Sequence, residues 1–136
     1  MLFASLALAG CAQTAQQKNL TAQDLENHRF VLQSVNGATF IASENGKVPG
    51  IDFGKNLEVS GSMCNRFMGQ ATLQDNRLKA EGLAMTRMIC NDQQLDSLDN
   101  QLNEMLQQGA QVTFIGQQLT LKGDKTTLVY MMTNAQ

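Results

Sequence analysis

The sequence predicts a mainly β (α+β) fold: a curled antiparallel sheet, close to a small β-barrel, with one amphipathic helix covering an opening. Three observations lead there. Apolar and polar residues alternate in many short runs, the period of half-buried strands. Turn dipeptides such as Asn36-Gly37 separate those runs. Only one segment carries a long helical pattern. With 136 residues, 43% of them apolar, the chain has room for one domain with a single core.

The N-terminal run MLFASLALAGC is uncharged and apolar, and a polar stretch, AQTAQQKN, follows it. It is too short to span a bilayer, which takes about 20 residues, and reads as the apolar core of a secretion signal. Leu8-Ala9-Gly10-Cys11 resembles the bacterial lipobox, so residues 1–10 are expected to be a signal peptide and Cys11 the lipidated first residue of the mature chain. No Lys or Arg precedes Cys11, which places the expected start of the signal upstream of Met1. Ala12, rather than Asp, follows the cysteine, and by resemblance to such proteins this implies sorting to the outer membrane. A tether and short helix are expected over 11–26, and the folded domain over 27–133.

Thr21 stands as an N-cap with an acid three residues on, which predicts a helix from Ala22 to Asn27. The run RFVLQSV predicts a strand ending at Asn36-Gly37. Ser43 to Gly50 holds a second Asn-Gly and the single proline, and reads as an exposed loop. IDF, LEVSGS and GQATLQ follow as strands, then RLKAEG after a turn at Asp75-Asn76, with Leu57, Val59, Leu78 and Ala80 facing inward. From Asp92 to Gly109 the residues Leu95, Leu98, Leu102, Met105 and Leu106 keep helical spacing, with Gly109 expected as a left-handed C-terminal residue. Asp92, Asp96 and Asp99 form a second stripe, read as solvated and favoured by the helix dipole. AQVTFIG, QLTLKG and TTLVYMM close the chain as a meander.

Charge and motifs exclude several functions. Ten basic and twelve acidic residues leave a net charge of −2, and no two basic residues adjoin, so nucleic acid is not an expected partner. His28 is the single histidine, and no serine elbow, HExxH, P-loop or GxGxxG occurs. Asp52 and Glu58 are a carboxylate pair that nothing in the spacing forces onto one substrate. No catalytic residue, metal ligand or cofactor is assigned, and a non-enzyme is expected.

The chemistry-bearing stretches are GSMCNRFMG, which holds Cys64, and GLAMTRMIC, which holds Cys90. In an oxidising compartment, with Cys11 acylated, these are the two remaining thiols, and a disulfide is the simplest reading. The loop it closes corresponds to about 3.5 kcal/mol in the chain-entropy model. The rivals are a thiol oxidoreductase, for which the cysteines stand far apart, and a soft-metal site using Met63, Met68, Met85 and Met88. Methionine is also an ordinary filler of irregular cores.

The pairing of GSMCNRF with GLAMTRMIC, followed by an acidic amphipathic helix and the closing QLTLKGDKTTLVY, resembles the META domain family and its heat-shock lipoproteins. The resemblance runs from about Asn27 to Met131. It implies a barrel-like domain with a covering helix, a link to heat and envelope stress and to antibiotic tolerance, and a likeness to lipid-binding pilotin lipoproteins. The motif falls on Cys64, Asn65 and Arg66, then on Thr86, Arg87, Met88 and Cys90. Asn65 suits a turn after the bridged cysteine. Arg66 and Arg87 are either an exposed anion- or partner-binding pair or, the preferred reading, structural, with Arg87 closing onto an acid or helix carbonyls. The expected protein is thus a monomeric, periplasm-facing outer-membrane lipoprotein of a Gram-negative bacterium, held by the lipid on Cys11 and binding an unknown envelope protein. The alternatives are a small-ligand or lipid carrier that uses the curled sheet, and a Met/Cys copper-handling protein. A cavity under the helix would favour the carrier, and a filled core the interaction module.

Overall fold

The structure, a computed structural model, describes residues 19–42 and 47–133. Cys11 and the loop residues 43–46 lie outside the described residues. Helix α1 (Ala22–Leu25) opens the fold behind Thr21, whose backbone N–H donates to the Asp24 carboxylate at 2.8 Å. It ends before the predicted Asn27 because Asn27 adopts φ +62° and turns its N–H to the Phe53 carbonyl.

Strands β1 (His28–Val35), β2 (Ala38–Thr39), β3 (Gly50–Phe53), β4 (Glu58–Ser62), β5 (Arg66–Gln70), β6 (Thr72–Gln74), β7 (Arg77–Lys79) and β8 (Ala84–Met85) precede the long helix α2 (Gln93–Gln108). The meander β9 (Ala110–Ile115), β10 (Gln118–Lys122) and β11 (Thr127–Thr133) follows it. All pair antiparallel in one curled sheet of order β6-β7-β9-β10-β11-β1-β3-β4-β5-β8, with β2 on the end of β1. The turn residues Asn36-Gly37 and Asp75-Asn76 all take positive φ, as two-residue hairpin loops require.

The stretch read as one strand, GQATLQ, is two. Ala71 alone separates β5, near one end of the sheet, from β6, at the other, so the chain itself carries the sheet around its curl. Ala71 is fixed there by its N–H bond to the Leu57 carbonyl at 3.0 Å. Leu57 is left-handed, with φ +59°, so the strand predicted from Leu57 begins at Glu58. The strands approach closely at Gly61, where a Cβ would stand 2.2 Å from the Gly50 carbonyl oxygen and 2.8 Å from the Phe67 ring. No larger residue fits between β3 and β5 at that point.

The inner face carries the core. Phe30 packs edge-on against Phe53 and Phe114, with ring centroids 6.0 and 5.5 Å away. Leu98, Leu102, Met105 and Leu106 of α2 close the opening, each 4% exposed or less. Its C-terminus departs from expectation: Gly109 has φ +98° but ψ +114°, because the chain leaves the helix directly into β9. Tyr130 is fully buried, its hydroxyl has no hydrogen-bond partner among the described residues, and burial pushes its ionisation well above the ordinary value of 10.0.

Candidate functional site

Cys64 and Asn65 form the turn between β4 and β5, and the segment after β8 brings Cys90 alongside. The two sulfurs are bonded, with Cα atoms 6.0 Å apart. Asn65, 8% exposed, is the hub of the quoted motif. Its side-chain oxygen accepts from the Met88 N–H at 2.6 Å and the Thr86 hydroxyl at 2.9 Å. Its amide nitrogen donates to the Asp99 carboxylate at 2.9 Å and the Met88 carbonyl at 3.1 Å. Asp99 also accepts from the backbone N–H groups of Cys64 and Asn65, each at 3.0 Å. The Asp99 carboxylate thereby clamps the first segment of the motif to α2 directly and the second through the Asn65 side chain.

This corrects the reading of the acidic stripe. Asp99 is 5% exposed and holds the clamp, Asp96 accepts from the Cys90 N–H at 3.4 Å, and Asp92 caps α2 through the N–H groups of Gln94 and Leu95. The signal was available, since Asp99 lies four residues after Leu95 and three before Leu102, on the helical face that packs inward. The preferred structural role of Arg66 and Arg87 is also corrected. Both side chains are exposed, and among the described residues neither guanidinium has an ion-pair or hydrogen-bond partner. The methionines divide: Met63 is buried in the core, whereas Met68 and Met88 are 61% and 68% exposed. Asp96 lies near both sulfurs, but sulfurs bonded to each other offer no thiolate to a soft metal.

Sequence reasoning missed a trough on the outer face of the sheet. Register aligns Arg29, Asp52, Ser60 and Met68 in one cross-strand row, and Val31, Gly50, Ser62 and Arg66 in the next. The two middle strands therefore present short side chains outward, and the flanking strands present long ones. The result is a depression of about 1040 Å³ that Lys47 and Val48 also line. Its signal in the sequence is glycine and serine at the outward positions of β3 and β4. Beside it, His28, Asp52 and Glu58 share a second depression of about 750 Å³, so the structure does bring that carboxylate pair to one surface. Asp52 is already engaged there by Arg29 at 3.1 Å.

The META domain model matches residues 23–135. This chain belongs to the META domain family. Its clamp and disulfide therefore sit within a META domain that spans nearly all the described residues. The Escherichia coli (strain K12) heat shock protein HslJ is 48% identical over 128 residues, 94% of this chain and 89% of the relative. Of solved structures, an NMR structure 50% identical in sequence superposes with a TM-score of 0.75, over 82% of this chain and 94% of the other. Another, from Burkholderia xenovorans, is 23% identical and superposes at 0.68 over 87% and 90%, which shows the shared fold. Neither the META name nor the name of the E. coli relative is that of an enzyme. Among the described residues no helix is long and apolar enough to cross a membrane.

Proposed function

We propose that this META domain protein is a lipid-anchored, non-catalytic stress protein of the outer membrane, which faces the periplasm and works by binding another envelope component. The observation that carries the binding reading is the filled opening under α2, where Leu98, Leu102, Met105 and Leu106 occupy the volume a carried ligand would need. The motif residues Asn65, Thr86 and Asp99 satisfy one another, which leaves the outer surface as the place to act. The heat-shock name of the E. coli relative supports a role in stress, and the family resemblance extends the proposal to antibiotic tolerance. The lipobox-like Leu8 to Cys11 supports the anchor, and an oxidising periplasm suits the Cys64–Cys90 bond.

Two measurements test this. A Cys11→Ser variant behind a complete signal loses acylation and leaves the membrane fraction; unchanged attachment refutes the anchor. Photo-crosslinking residues placed singly at Met68, Gln101 and Ile115 sample three faces in intact cells, and a discrete adduct from at least one of them is expected. No adduct at any face during heat or envelope stress refutes the binding role.

A further inference from the structure

We infer that the outer trough over β3 and β4 is a docking site for an extended peptide segment of an envelope protein, carrying acidic residues toward one end. The inference rests on the binding role proposed above and assigns it a surface and a chemistry. Adjacent strands lie about 4.8 Å apart, so the walls on β1 and β5, three spacings apart, stand about 14 Å from each other. That is wide enough for one extended chain laid over the sheet. The floor is low because its outward residues include Gly50, Ser60 and Ser62, and its hydroxyls can meet peptide N–H and C=O groups. Val31 and Met68 supply apolar wall on either side.

Charge sets the polarity of the occupant. Arg66 and Lys47 line the trough without an ion-pair partner among the described residues, in a chain whose net charge is −2. At the other end Arg29 is paired with Asp52, and the neighbouring depression adds Glu58. The trough is thus cationic in the Arg66 row, where Val31 forms the opposite wall, and charge-balanced in the Arg29 row, where Met68 does. A peptide with carboxylates at one end and small apolar residues beyond matches that sequence of environments. An acyl chain alone matches it less well, since it would leave the Arg66 and Lys47 charges without a counter-charge.

The test uses the full-length chain purified in detergent and two labelled, N-acetylated hexapeptide amides: Glu-Val-Glu-Val-Ser-Val, and its counterpart with both glutamates replaced by lysine. Fluorescence anisotropy is expected to show the acidic peptide binding at least tenfold more tightly than the basic one, with affinity that falls as salt rises. Amide NMR shifts should centre on Gly50, Ser60, Ser62 and Met68. Arg66→Glu should weaken binding at least tenfold, and Ser60→Trp, which fills the floor, should abolish it; both positions face outward, and unchanged dispersion of the core amides verifies the fold. If Ser60→Trp misfolds, Arg66→Glu decides alone. Equal binding of the two peptides, absent binding, or shifts centred on α2 overturn the inference. Phosphatidylglycerol vesicles that shift the trough amides where the acidic peptide does not also overturn it, in favour of a lipid. Should the peptide fail while Gln101 or Ile115 still yields an adduct in cells, the docking inference falls and the binding role stands.

Discussion

Replacing Asp99 with alanine removes one carboxylate and strands three donors. The Cys64 N–H is half-buried and can find water, but the Asn65 N–H and the Asn65 amide are buried and lose their acceptor. The Asn65 amide keeps the Met88 carbonyl at 3.1 Å, so its loss is partial. Stranding a buried donor costs about 1–3 kcal/mol, and bonds to a charged acceptor lie at the upper end, which gives about 3–5 kcal/mol for Asp99→Ala. Against a total stability of about 5–15 kcal/mol, that leaves a folded but weakened domain. Asp99→Asn keeps an acceptor oxygen and should lose about half as much. Urea unfolding of the oxidised protein, followed by circular dichroism, measures both. Asp96→Ala is the control, because Asp96 offers one long bond, at 3.4 Å, to the Cys90 N–H, and should cost under about 1 kcal/mol. An Asp99→Ala protein within about 1 kcal/mol of wild type, or an Asp96→Ala protein equally weakened, would refute the clamp.

Tyr130→Phe should leave stability at neutral pH unchanged or raise it by about 1 kcal/mol, since it removes a buried hydroxyl with no partner. The ionisation of Tyr130 is raised on folding, so its neutral form is the one the core accepts. The stability linked to Tyr130 is fully present below pH 10.0 and should fall above it by about 1.4 kcal/mol per pH unit, a slope that Tyr130→Phe removes. A slope persisting in the variant contradicts this. Gly61→Ala should destabilise by roughly 3 kcal/mol or abolish folding, because its Cβ meets the Gly50 carbonyl; a neutral substitution in thermal melts would count against that close approach. Cys64→Ala combined with Cys90→Ala should cost about 3.5 kcal/mol and keep the fold, and two free thiols in protein purified under oxidising conditions would overturn the bond.

Where the backbone's own chemistry decides, the sequence was readable. Asn36-Gly37 and Asp75-Asn76 are short and tolerate positive φ, so they announced their hairpins, and the leucine spacing announced α2. The failures lie where distant residues decide. Nothing local marks Ala71 as a break; it becomes one because the sheet curls until β5 and β6 share a corner. Asp99 reads as surface by type, and turns inward because the Cys64–Asn65 turn brings unsatisfied N–H groups to that side of α2. The trough left only its glycine and serines as a local mark and took shape for the same reason, since Ser60 and Met68 become neighbours only through strand register.

The sheet order has a consequence for when the protein can fold. Its middle pairs the first long strand with the last: β1 lies between β3 and β11, and Arg29 stands opposite Thr133. A ribosome delivers the N-terminal part of a chain first, but here that part holds β1 without the partner that completes one of its edges. Until β11 arrives, the inward rows of β1 have half a surface to pack on, and such distant pairing is slow to form. For the exported, lipid-anchored protein proposed above, which would cross a membrane unfolded, this order of assembly is an asset. Folding is deferred by the wiring of the sheet itself until the last strand has been made.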